Sequence, residues 1–108
     1  MSHYLFIQSQ DPFTETRAAQ QYELVGDLYD AGHDVTLLLV QNGVTPARQT
    51  ARSPVFDRLL EWGVPVIADG FSLRQREMQE SDLKDAVEIG DVSLAIDALL
   101  DGHKVIWN

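Results

Sequence analysis

The stretch "VIADGFSLRQREM", residues Val66 to Met78, decides the fold. Val64 to Ala68 is a short aliphatic run of strand length. Asp69 and Gly70 follow as a turn, and Ser72 and Gln75 have the spacing of a capping box that opens a helix. A strand that passes directly into a helix is the repeating step of a layered α/β protein. In such proteins ligands and catalytic side chains gather beyond the carboxyl ends of the strands, which is where Asp69 falls. Two readings of this residue stand side by side. An Asp-Gly turn or helix cap needs no further reason. A general base or ligand-binding carboxylate would occupy the same position, held among apolar neighbours.

The same alternation continues on both sides. Tyr4 to Ile7 is a continuous apolar run, the pattern of a strand buried on both faces of a parallel sheet. Asp11-Pro12 has the form of an N-cap followed by a first-turn proline, which predicts a helix from there to about Ala31. Ala18, Tyr22, Val25 and Tyr29, flanked by Gln21, Leu24 and Leu28, form its core-facing stripe. Gly32 ends it, and Val35 to Val40 is a second strand closed by Asn42-Gly43 as a tight turn. Thr45 to Arg52 reads as a polar loop. Ser53-Pro54 opens a short helix with an apolar face of Val55, Phe56, Leu59 and Leu60, and Gly63 ends it. Glu77 to Asp85 is polar with no assigned element, and Ala86 to Ile89 reads as a short edge strand. Val92 to Leu100 is a helix capped by Gly102, and Lys104 to Trp107 is the final strand. The expected architecture is a flavodoxin-like three-layer α/β sandwich with a mostly parallel sheet of four or five strands, in one domain spanning residues 1–108.

Composition narrows the function. The 108 residues hold 17 acidic against 8 basic side chains, a formal charge of −9, so the surface repels phosphate backbones and nucleic acid is not an expected partner. No apolar run approaches the roughly 20 residues of a membrane span. The first residues carry no basic segment or cleavage site, which predicts a cytoplasmic location. There is no cysteine. Disulfides, thiolate metal sites, nucleophilic thiols and cysteine persulfides are therefore excluded.

The three predicted strand ends bring together Ser9, Gln10 and Asp11, then Gln41, Asn42 and Gly43, then Asp69 and Gly70. Arg48, on the following loop, is expected to reach over them. The ligand-binding candidates are accordingly Gln10, Gln41, Asn42, Arg48, Asp69 and Gly70. A receiver-type phosphoacceptor would need an acidic cluster after the first strand to hold Mg²⁺, and Asp11 is alone there. A flavin phosphate would need a Ser/Thr/Gly-rich loop in place of Asp11-Pro12-Phe13. His3, His33 and His103 lack ligand spacing, so no metal and no cofactor is expected. The final helix carries Val92, Leu94, Ala95, Ile96, Ala98, Leu99 and Leu100 on more than one face, which points to burial against another subunit.

In order along the chain, Tyr4-Leu5-Phe6-Ile7, Asp11-Pro12-Phe13, Gly32-His33-Asp34-Val35, Asn42-Gly43-Val44, and Gly63-Val64 through Arg76 resemble the DsrE/DsrF-like family. The resemblance implies a small α/β sandwich that assembles into trimers or hexamers. It also implies a role in sulfur relay, because active members pass sulfur as a persulfide on a cysteine just past the third strand. That position falls on Asp69 here. A carboxylate lacks the soft nucleophilicity that holds sulfane sulfur, so the family's sulfurtransferase activity does not carry over. Two functional readings follow. One is a non-catalytic accessory or scaffold subunit with a sulfur-relay protein as partner. The other is a small-ligand-binding protein, or an enzyme of unknown reaction, that uses the crevice around Asp69.

Overall fold

A computed structural model describes residues 2–108. Five strands alternate with four α-helices: β1 (His3–Gln8), α1 (Thr16–Asp30), β2 (Asp34–Leu39), α2 (Pro54–Trp62), β3 (Val66–Asp69), α3 (Gly70–Gln75), β4 (Val87–Gly90), α4 (Ser93–Leu100) and β5 (Lys104–Trp107). Two 3₁₀ segments, Gln41–Ala47 and Glu80–Asp82, lie in the connections. The strands form one sheet in the order β4-β3-β2-β1-β5, and every pairing is parallel. This is the expected flavodoxin-like layering, with the upper number of strands and no antiparallel member.

Alternation along the strands divides the core by face. Phe6, Val35, Leu37, Leu39, Val66, Ala68 and Val87 point to the side of α1, α2 and α3. Leu5, Ile7, Leu38 and Val40 point to the other side, where Ala98, Leu94 and Ala95 of α4 cover them. The chain steps from β1 to β4 in one direction and then returns across the sheet to β5. Right-handed crossovers place α4 opposite the other helices for that reason.

Two of the boundaries that differ from expectation have a local cause. The first helix starts at Thr16, not at Asp11-Pro12. Asp11 does cap, but it caps one isolated turn: its carboxylate accepts the N–H of Phe13 at 2.9 Å and its carbonyl accepts the N–H of Glu15 at 2.9 Å. Glu15 is then extended, at φ −125° and ψ 112°, which interrupts the helix before it can propagate. The other correction concerns Asn42-Gly43, which is not a tight turn but the start of the first 3₁₀ segment. Left-handed backbone falls on Gln41, at φ 52°. Gly43 is needed for space instead, since a Cβ there would stand 2.0 Å from the Gln8 carbonyl oxygen.

Helices α1 and α2 approach closely through Gly26, whose missing side chain leaves room for the Trp62 ring. Ser53-Pro54 opens α2 as expected, but the Ser53 side chain does not cap it. Asp57, one turn in, reaches back to the Ser53 N–H at 3.3 Å and also pairs with Lys84. No described helix is long and apolar enough to cross a membrane.

Candidate functional site

Asp69 ends β3 and is the N-cap of α3. Its side chain is buried, at 4% exposure. Oδ2 accepts the backbone N–H of Ser72 at 3.0 Å and the Ser72 hydroxyl at 2.7 Å. The cap is thus Asp69, three residues before the serine that the sequence pattern placed in that role. Ser72 serves as a bridge, because its hydroxyl oxygen also accepts the N–H of Gln41 at 2.8 Å. A directed chain therefore runs from Gln41 through Ser72 to Asp69 and ties the end of β2 to the end of β3. It satisfies the N–H of a residue whose positive φ takes it out of the sheet ladder.

The network extends toward β1. Arg76 donates from Nη2 to Asn42 Oδ1 at 2.8 Å and from Nη1 to the Ser72 carbonyl at 3.1 Å. The Thr45 hydroxyl lies 3.0 Å from the Asn42 carbonyl oxygen and 3.1 Å from Asp11 Oδ1 and shares its one proton between them. Asp11, Thr45, Asn42, Arg76, Ser72 and Asp69 form a continuous polar strip over three strand ends. Gln41 and Asn42 are exposed along it. Gly70 begins α3 beneath the Arg74 guanidinium, which a Cβ there would meet at 3.3 Å.

Of the six sequence candidates, Asp69, Gly70, Gln41 and Asn42 come together. Gln10 lies apart at the end of β1, its N–H donated to Gln8 Oε1 at 2.9 Å. Arg48 also lies apart. Its backbone bridges to Leu83, and its side chain makes no hydrogen bond to the strip. Arg76 fills the position expected of Arg48, because α3 is short and its C-cap residue lies over the end of β2.

Sequence reasoning missed a second polar group at the end of β1. Gln8 is fully buried and donates to Gln21 Oε1 at 2.7 Å. Gln10 Oε1, Gln21 Nε2 and the Tyr22 hydroxyl are buried with no partner among the described residues. Burial, with Asp11 nearby, pushes the Tyr22 hydroxyl well above the ordinary phenol range. The available signal was Gln21 itself, a polar residue inside the apolar stripe of α1.

The histidines sit at the amino ends of the strands, away from this strip. His3 and His103 stack with centroids 4.7 Å apart, and His3 Nδ1 lies 2.8 Å from Asp34 Oδ2. Among the described residues no three His, Asp or Glu side chains are grouped so as to hold a metal ion.

Comparison with known proteins gives a consistent result. Residues 2–107 match the DsrE/DsrF-like family. Two solved structures superpose over the whole chain and over the whole of each relative. One is protein MTH1491 of Methanobacterium thermoautotrophicum, a protein of unknown function, at 20% identity and a TM-score of 0.85. The other is the ychN protein of E. coli, at 19% identity and a TM-score of 0.86. At these identities the likeness is one of fold. No curated protein matches the chain by sequence.

Proposed function

The chain belongs to the DsrE/DsrF-like family, and from that premise we propose that it works as a non-catalytic accessory or scaffold subunit beside sulfur-relay proteins. One observation carries the reading. At the strand-to-helix turn where the family resemblance puts a sulfur-bearing cysteine, this chain has Asp69, turned inward to cap α3, and there is no cysteine anywhere else. A thiolate attacks and holds sulfane sulfur, whereas a carboxylate engaged by two hydrogen bonds from Ser72 does neither.

Assembly is the second part of the proposal. Helix α4 packs one side on the sheet and leaves Val92, Ile96, Leu99 and Leu100 in solvent, Leu100 at 81% exposure. Ile89 of the neighbouring edge strand is exposed as well. An apolar surface of this kind on a small acidic domain supports burial between copies, as a trimer or hexamer, or against a related subunit.

The accessory role is tested by mixing the protein with the cysteine-bearing DsrE-like proteins of the same organism. A defined mixed complex in size-exclusion chromatography, with a changed rate of sulfur transfer, is expected. A chain that ignores every such protein and leaves transfer unaltered overturns the role.

A second reading, a small-ligand site in the crevice, is favoured by one feature. Gln41 is held at φ 52° with its side chain exposed beside Asn42, and backbone strain of this kind gathers at ligand sites. A small molecule retained by the purified protein and lost on Asn42→Ala substitution would support it.

A further inference from the structure

We propose that the β5 edge of the sheet is a self-complementary contact, at which β5 pairs antiparallel with β5 of a second copy of this chain. The proposal rests on the assembly reading above and names the strand and register through which two copies meet. Strand β5 is one of the two edges of the sheet. Val105, Ile106 and Trp107 make it apolar on both faces, and Ile106 and Trp107 are exposed, Trp107 at 64%. Edge strands that stay unpaired are guarded by charged side chains, proline or bulges. The other edge, β4, has such a guard in the exposed Glu88 and in Asp91 just beyond Gly90. Strand β5 has only Lys104, at its start.

The backbone fixes which groups are free. Asn108 donates its N–H to the Ile7 carbonyl at 2.8 Å and accepts the Ser9 N–H at 2.9 Å. Backbone groups alternate between the two sides of a strand, so Lys104 and Ile106 also turn theirs to β1. Val105 and Trp107 turn theirs away from the sheet, where no described strand stands. An antiparallel partner centred on Ile106 sets Val105 against Trp107 of the second copy, and Trp107 against its Val105. Both are hydrogen-bonded pairs, so every outward N–H and C=O of the two residues is satisfied in both copies. A register shifted by one residue would set these groups against ones already committed to β1.

The side chains fit the same register. Residues directly opposite in an antiparallel pair share a face of the sheet. Val105 and Trp107 follow Leu5 and Ile7 to the α4 side, so Trp107 is set beside Val105 of the second copy. Ile106 follows Phe6 to the α1 side and meets its own counterpart at the two-fold axis. The groove beside Ile106 is lined by Arg17, Gln20, Gln21 and Leu24 and holds no acidic side chain, in a chain of net charge −9. Two acidic copies therefore approach here without opposing carboxylates. The axis stands normal to the sheet, which joins the two sheets into one and puts both α4 helices on the same side. A strand pair this short is marginal alone, and burial of the exposed α4 side chains on that side sustains it. The pairing selects the hexamer, because a cyclic trimer has no two-fold axis.

The test exploits the absence of cysteine from the chain. Across the axis the Cα atoms of Ile106 and its counterpart stand about 4.5 Å apart, as in any facing pair without hydrogen bonds. That is within disulfide reach. The two Lys104 Cα atoms stand about 14 Å apart, at a rise of about 3.4 Å per residue. With diamide as oxidant, Ile106→Cys is expected to give covalent dimers at least about ten-fold faster than Lys104→Cys. Trp107→Pro removes one outward N–H and none of the bonds to β1, whereas Trp107→Ala removes the ring alone. In sedimentation velocity, at matched circular dichroism, Trp107→Pro is expected to associate at least about ten-fold more weakly than Trp107→Ala. Equal cross-linking of Ile106→Cys and Lys104→Cys in a chain that associates overturns the pairing, because another strand or face then covers the edge. Equal association of Trp107→Pro and Trp107→Ala overturns it as well. A chain that stays single at every concentration overturns the assembly reading and the pairing together.

Discussion

The Ser72 hydroxyl lies 2.7 Å from Asp69 Oδ2 and donates to it while accepting the N–H of Gln41. One side chain thus completes the cap of α3 and satisfies the backbone at the end of β2. Ser72→Ala leaves the Gln41 N–H without its partner and removes one of the two bonds to a buried carboxylate. A loss of about 1–3 kcal/mol is expected. Urea denaturation checks it through a lower midpoint at unchanged slope. Asp69→Ala should cost about 1–2 kcal/mol as a lost cap.

Gln41 carries the left-handed backbone that the sequence pattern would place on Gly43. Its side chain is exposed, so Gln41→Gly removes strain and little packing. A gain of about 0.5–1 kcal/mol is expected in the same denaturation measurement.

Gly43→Ala tests the opposite requirement. The added Cβ would meet backbone, with the Gln8 carbonyl oxygen at 2.0 Å, and neither chain can swing aside as a flexible side chain would. Destabilisation of about 3 kcal/mol or more is expected, read as a large fall in melting temperature.

Tyr22 gives a pH prediction. Burial first, and then the charge of Asp11, holds its phenol in the neutral form well above the usual value. The unfolded chain releases this proton near pH 10 and the folded chain keeps it. The folded state therefore binds more protons above that pH, and stability falls as pH rises through it. In Tyr22→Phe this contribution to the fall should disappear, and the native absorbance titration at 295 nm should match that of the parent chain up to about pH 11.

The layered fold was legible because it rests on patterns that burial imposes on the chain. Tyr4 to Ile7 and Val35 to Val40 are apolar without interruption because both faces of their strands are covered, and Gly32 and Gly63 stop the helices before β2 and β3 with positive φ. Asp69 was legible as a residue of the strand-to-helix turn for the same reason. What escaped was tertiary. The α1 start at Thr16 depends on an extended Glu15 and on Asp11 being drawn to Thr45, a contact 34 residues away in sequence. Arg76 displaced Arg48 because the length of α3 sets which guanidinium overlies Asn42, and composition carries no trace of that length. Gln8 and Gln21 were hidden in an apolar strand end and an apolar helix stripe, where a polar residue reads as an exception until its partner is seen.

The outer face of α4 makes the assembly part of the account testable by substitution. Ile96→Asp with Leu100→Asp places charge on side chains that are 58% and 81% exposed in the single chain, so the fold should persist. Self-association should weaken by about 30-fold or more, as when a central contact worth about 2 kcal/mol is lost. Sedimentation velocity reads the change.

The most direct measurement is native mass spectrometry of the protein purified without added ligand. A trimer or hexamer with no added sulfur on any subunit is expected, falling to single chains in the Ile96→Asp, Leu100→Asp variant. A lone 12.1 kDa chain at every concentration would contradict the subunit reading at its root.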